Sequence, residues 1–157
     1  MIPVEQRWPE EFAARYRAAG YWRGETFGQM LRDRAAAHPD RIAVIGAAGA
    51  VGVRAVGAVE AVRWTYAELD ARADRVAAGL VASGLRAGDR VVVQLPNIPD
   101  FFSVMFGMYR VGILPVYALP AHRRTEIVHF ARLAEATAYV IPEKHAGFDY
   151  RELAADV

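Results

Sequence analysis

The stretch Asp89–Pro120, DRVVVQLPNIPDFFSVMFGMYRVGILPVYALP, constrains the fold most, because its middle holds almost no polar residue. Arg90–Leu95 is a short apolar run, as expected of a strand buried on both faces, and Pro96 ends it. Asn97 is the expected cap of the following helix. Pro99 falls near its first turn, and Asp100 suits the positive end of its dipole. Phe101–Val111 is apolar nearly all round, which predicts a helix enclosed in a larger body. Gly112 suits its stop, and Ile113–Leu119 predicts a second strand, with Pro115 pointing to an edge or a bulge. A strand, helix and strand in this order most simply form a right-handed parallel unit.

The flanks extend the pattern. Pro9–Ala19 predicts a short amphipathic helix, and a second begins at Thr26 and ends near His38–Pro39. Thr26 with Gln29, and Thr65 with Glu68, have the spacing of capping boxes. Arg41–Ile45 and Val59–Trp64 read as strands. The helix opened by Thr65 runs to about Ser83, with Leu69, Ala73, Val76, Ala77, Leu80 and Val81 at helical spacing. A further helix over Thr125–Glu135 and a strand over Ala138–Ile141 follow, and Tyr150–Val157 begins another helix. The alternation from Arg90 onward predicts an α/β class fold, an open and largely parallel sheet with flanking helices. Three parts are expected: a helical segment over 1–40, strands over 41–64 interrupted by a low-complexity Gly/Ala/Val run at 46–62, and an α/β unit over 65–157.

Charge is balanced, 19 basic against 18 acidic residues, so nothing global points to nucleic acid or an anionic membrane. Cysteine is absent, which removes disulfides and thiolate metal sites and fits a cytoplasmic setting. No apolar run reaches the length of a membrane span, and MIPVEQRWPEEF lacks the apolar core of a signal peptide.

Four candidates for chemistry arise. RIAVIGAAGAVG, over Arg41–Gly52, has the strand and glycines of a dinucleotide-binding turn (Gly46, Gly49, Gly52) and would imply NAD(P). The competing reading is an insertion in a hairpin, favoured by the β-branched residues and glycines where a helix would have to start. The second candidate is His122 with Arg123 in the loop PAHRR. That loop follows a strand, and ligands of open α/β sheets gather at the carboxyl ends of strands. The competing reading is a solvated basic loop. His38, His129 and His145 have no partner at metal-ligand spacing. Lastly, the aromatics Trp8, Tyr16, Tyr21 and Trp22 suit packing of the N-terminal helices or a partner surface. Neither Ser83 nor Ser103 sits in a nucleophile elbow.

WTYAEL with the helix LDARADRVAAGL, GDRVVVQLP, and MFGMYRVGILPVYALP resemble, in order, the opening core motifs of adenylate-forming (AMP-binding) enzymes. WPEEFAARYRAAGYWRGETFGQMLRDRA, QLPNI with FF soon after, and ALPAHRRTEI sharpen the resemblance to siderophore aryl-acid AMP ligases, which activate 2,3-dihydroxybenzoate or salicylate. The resemblance implies a two-step reaction: ATP and the acid give aryl-AMP, and the aryl group passes to a carrier-protein thiol. It implies ATP and magnesium for the full-length family. The family's Ser/Thr/Gly-rich phosphate loop and its catalytic lysine have no counterpart in these 157 residues, and Lys144 matches neither by context. The expectation is therefore the N-terminal part of a ligase, inactive alone, with no catalytic, cofactor or metal residue of its own and the remainder of the ligase and an aryl carrier protein as partners. The run at 46–62 departs from the family's short turn. Two alternatives stay open at this stage: a non-catalytic interaction module or half of a split ligase, and a Rossmann-type NAD(P)-binding protein using Gly46–Gly52.

Overall fold

The computed structural model describes residues 8–47 and 61–157. Helix α1 (Glu10–Ala18) places Glu10 and Glu11 in its first turn. The four N-terminal aromatics pack mainly on one another, with the Tyr16 and Trp22 centroids 5.3 Å apart and Trp8 edge-on to both. Helix α2 (Phe27–Ala37) is capped by Thr26, whose side chain accepts from Gln29 N at 3.2 Å. The return half of the expected box is missing. Gln29 donates instead to Asp33, one turn on, at 2.8 Å.

Strands β1 (Ile42–Ala47) and β2 (Ala61–Thr65) pair antiparallel. This decides against the dinucleotide turn, which needs a helix after the first strand and a parallel return. Gly46 has a packing role: a Cβ there would stand 2.5 Å from Cγ of Pro99. Gly49, Gly52 and most of the low-complexity run lie outside the described residues.

Helix α3 (Tyr66–Ala82) opens on a complete capping box. Thr65 accepts from Glu68 N, and Glu68 accepts from Thr65 N at 2.8 Å. Thr65→Ala is expected to cost about 1 kcal/mol of stability, read as a lower urea midpoint with unchanged slope. Leu69, Ala73 and Ala77 are buried as expected, whereas Val81 is exposed beside the stop at Ser83–Gly84.

Strand β3 (Arg90–Val93), helix α4 (Pro99–Arg110) and strand β4 (Leu114–Tyr117) form the expected unit, with β3 and β4 parallel. The cap differs from the expectation: Ile98 holds that position without a side-chain bond, so Asn97 is not the cap. Pro99 at the first helical position removes one of the unpaired N–H groups of the helix start and presets its φ. Helix α4 is covered on two sides, by the sheet and by α3, and opens to solvent at Phe102. Helix α5 (Arg124–Ala134) leads to strand β5 (Ala138–Val140), which pairs parallel to β3 on its other side. A hairpin, β6 (Lys144–His145) and β7 (Phe148–Asp149), precedes the short helix α6 (Tyr150–Ala154).

The sheet order β4-β3-β5 makes the fold doubly wound. Val91 and Val93 pack with Met108 and Ile113 on the α4 face. Val92, the residue between them, packs with Ile127 of α5 and Leu153 of α6 on the opposite face. A third cluster joins Leu31, Val44, Trp64, Leu69 and Phe106, seating α2 and the β1–β2 pair on α3 and α4.

Candidate functional site

The chain reverses direction at β3, so the carboxyl ends of β3, β4 and β5 surround the position where doubly wound sheets receive ligands. The loop Leu119–Arg123 lies there. It is held by a residue the sequence reading passed over. Gln94, which follows β3 directly, is fully buried. Its Nε2 donates to Leu119 O at 2.7 Å and His122 O at 3.0 Å, and its Oε1 accepts from the Tyr139 hydroxyl. Tyr150 OH donates to Pro120 O at 2.9 Å. A buried amide with three partners is well satisfied, and removing any one would leave a desolvated polar atom. The signal was present in the sequence as the polar residue closing the run VVVQ.

His122 and Arg123 come together here, and both are committed to the loop itself. His122 Nδ1 accepts from Leu119 N at 3.1 Å, which places the proton of the neutral ring on Nε2. The ring packs edge-on to Phe130 at 5.2 Å. The Arg123 guanidinium lies 4.1 Å over the Phe148 ring and donates to Pro120 O at 2.7 Å and His122 O at 2.8 Å. Its backbone N–H donates to Glu126, opening α5, and that bond lowers the Glu126 pKa. His38 and His129 are exposed, and the His129 ring neighbours Phe130, the residue against which His122 packs.

Burial, with Tyr150 adding and Arg123 opposing, pushes the Tyr139 phenol from 10.0 up to about 12. The fold therefore holds the neutral phenol. Its stabilisation is complete below pH 10 and is lost as pH rises from 10 to 12. Tyr117 is also raised, by burial and by its hydrogen bond to Tyr109, so part of the loss continues above that window. The urea midpoint is expected to fall between pH 10 and 12, and to fall less in Tyr139→Phe.

Other concavities lie apart from this loop, among them a shallow one on α5 lined by Thr125, His129 and Arg132. A cleft of about 630 Å³ between α2, β1, α3 and α4 has the core residues Leu31, Val44, Leu69 and Phe106 in its wall. Of its rim charges, Arg23 pairs with Glu25 at 2.9 Å and Asp33 accepts from Gln29. A groove of about 410 Å³ runs along Phe27, Met30, Tyr109 and Leu114. Neither includes His122 or Arg123.

Among the described residues no group of three His, Cys, Asp or Glu side chains could hold a metal ion.

Comparison with known proteins agrees with the fold and the motif order. The family model described as AMP-binding enzyme matches residues 31–156. The chain is 52% identical over 150 residues to the 2,3-dihydroxybenzoate-AMP ligase of Bacillus subtilis, covering 96% of this chain and 25% of that ligase. It is 44% identical over 149 residues to the salicyl-AMP ligase / salicyl-S-ArCP synthetase of Mycobacterium tuberculosis, covering 95% and 25%. It superposes on the apo structure of Mycobacterium smegmatis MbtA with a TM-score of 0.73 and 47% identity, over 84% of this chain and 23% of that one. The chain thus spans about a quarter of the length of the curated relatives it matches. A match over more than half of the chain, on a doubly wound sheet, places it: the chain belongs to the AMP-binding enzyme family.

Proposed function

We propose that this chain is the N-terminal scaffold of an aryl-acid adenylating ligase of siderophore biosynthesis. The parent reaction joins 2,3-dihydroxybenzoate or salicylate to AMP at the expense of ATP and then passes the aryl group to a carrier-protein thiol. The observation that carries this reading is the 52% identity to a 2,3-dihydroxybenzoate-AMP ligase across 150 residues. ATP and magnesium, the remainder of the ligase, and an aryl carrier protein are the partners it implies. The cytoplasm is the compartment it implies, and no helix among the described residues is long and apolar enough to cross a membrane.

On this reading the chain contributes framework. Residues 8–40 brace the body, the paired strands β1 and β2 support it, and 66–157 supply the first strands of the large sheet. The His122–Arg123 loop borders the ligand crevice and is shaped by Gln94 and Tyr150; neither side chain takes part in proton transfer. His122→Leu in a complete ligase is therefore expected to lower turnover by less than the roughly 100-fold that loss of a general acid–base group brings, with no change in the shape of the pH profile.

The reading is tested by replacing the matched 150 residues of the Bacillus subtilis ligase with the corresponding residues of this chain. ATP–pyrophosphate exchange dependent on an aryl acid should persist in the graft and be absent from the 157-residue chain alone. Exchange by the short chain, or a folded graft without exchange, would sink the proposal.

A further inference from the structure

The loop Leu119–Arg123 turns its carbonyl oxygens into the protein. Leu119 O accepts from Gln94 Nε2 at 2.7 Å and from His122 N at 3.0 Å. Pro120 O accepts from Tyr150 OH at 2.9 Å and from Arg123 at 2.7 Å. His122 O accepts from Gln94 Nε2 at 3.0 Å and from Arg123 at 2.8 Å. A carbonyl oxygen has two lone pairs, so these three are filled. Surface loops are ordinarily mobile; this one is held in a single form.

The Arg123 and His122 donors belong to the loop itself, whereas Gln94 and Tyr150 tie these carbonyls to the rest of the fold. Gln94 is the stronger tether, because one side chain reaches two carbonyls. Its backbone N–H donates to Val140 O at 2.9 Å, so the side chain leaves from a point fixed between β3 and β5. The Tyr139 hydroxyl, donating to Oε1, fixes which way the amide faces. With its oxygen and nitrogen exchanged, the amide would present an acceptor to two carbonyl oxygens, and both bonds would become repulsions. Tyr139 on β5, Gln94 after β3 and the loop after β4 thus form one run of hydrogen bonds across the carboxyl ends of the three strands.

We infer that Gln94 is a positioning residue of the ligase: it sets the loop that borders the crevice, and through that loop the affinity for a substrate, without touching the reacting atoms. The inference rests on the functional reading above. Loss of the two Nε2 bonds leaves Leu119 O and His122 O each one partner short, so the loop relaxes toward solvent and that wall of the crevice moves. A displaced wall weakens the bound ground state and the transition state alike, which raises KM and leaves the saturating rate in place.

The test is Gln94→Met in the grafted Bacillus subtilis ligase, an unbranched side chain of similar length without donors. KM for ATP and KM for the aryl acid are measured separately by pyrophosphate exchange. At least one should rise on the order of 10-fold, with the saturating rate within about 3-fold of the parent graft. Thr65→Ala, which weakens the α3 cap, is the control for lost stability alone and should leave both KM values in place. A folded Gln94→Met graft with both KM values unchanged, with only the saturating rate lowered, or with a rise that Thr65→Ala reproduces overturns the inference, while the functional reading stands. Should Gln94→Met not fold, Tyr139→Phe decides, because it keeps both loop bonds and removes only the orienting donor: a raised KM supports the inference and parental KM values overturn it. If the parent graft folds but shows no exchange activity, the functional reading falls. Amide hydrogen exchange at residues 119–123 then decides whether Gln94 sets the loop: exchange on the order of 10-fold faster in Gln94→Met supports it, and unchanged exchange overturns it.

Discussion

Arg110→Ala is expected to cost about 3–5 kcal/mol of stability, the loss typical of breaking a buried ion pair from one side. Arg110 ends α4 with its side chain only 4% exposed. It donates to the carboxylates of Asp70 and Asp74 on α3 and to Asp70 O at 2.9 Å. Asp74 also binds Arg32 of α2 at 3.0 Å, so one cluster ties three helices. Removing the guanidinium leaves Asp70, mostly buried, without its counter-charge. The buried Nε has no acceptor among the described residues, which subtracts from the net value of the pair. The contrast variant Arg110→Met with Asp70→Leu removes both charges together and is expected to recover most of the loss. Equal destabilisation of the single and double variants, by urea titration, would show that packing rather than the uncompensated charge sets the cost.

Gly107→Ala is expected to destabilise by about 1–3 kcal/mol although alanine is the better helix former. The reason is contact. A Cβ at Gly107 would lie 2.6 Å from Val76 Cγ1 and 3.1 Å from Ala73 O, so α3 and α4 touch there through backbone. Val76→Ala removes the Cγ1 contact but keeps the Cβ, which would lie 2.8 Å away, so the pair should be partly non-additive: Gly107→Ala costs somewhat less in the Val76→Ala background than in the parent. Additive losses would mean that the helices shift apart freely, contrary to a close-packed α3–α4 seam.

Much of this architecture was legible in the residues. The apolar run at Arg90 and the apolar helix after it predicted a parallel unit, with an edge or a bulge at Pro115; the ladder is parallel, and among the described residues β4 is an outer strand. Thr65 with Glu68 specified the start of α3 because both partners of the box are local. Gln29 had a competing partner in Asp33, and Asn97 was displaced by a helix that starts at Pro99; sequence spacing cannot rank such local alternatives. Gly46 looked like a phosphate-binding glycine because its reason, Pro99, is more than fifty residues away. The same limit hid the loop clamp. His122 was visible as a polar residue after a strand, whereas Gln94, Tyr139 and Tyr150 converge on its loop only once β3, β5 and α6 are assembled.

The central claim is that these residues are the scaffold of an aryl-acid ligase. It is tested most directly by acid-dependent ATP–pyrophosphate exchange in the grafted Bacillus subtilis ligase, measured with 2,3-dihydroxybenzoate, salicylate and no acid. The account predicts exchange that requires one of the two aryl acids, with none from the 157-residue chain under the same conditions. A graft that folds cooperatively yet shows no acid-stimulated exchange would contradict it.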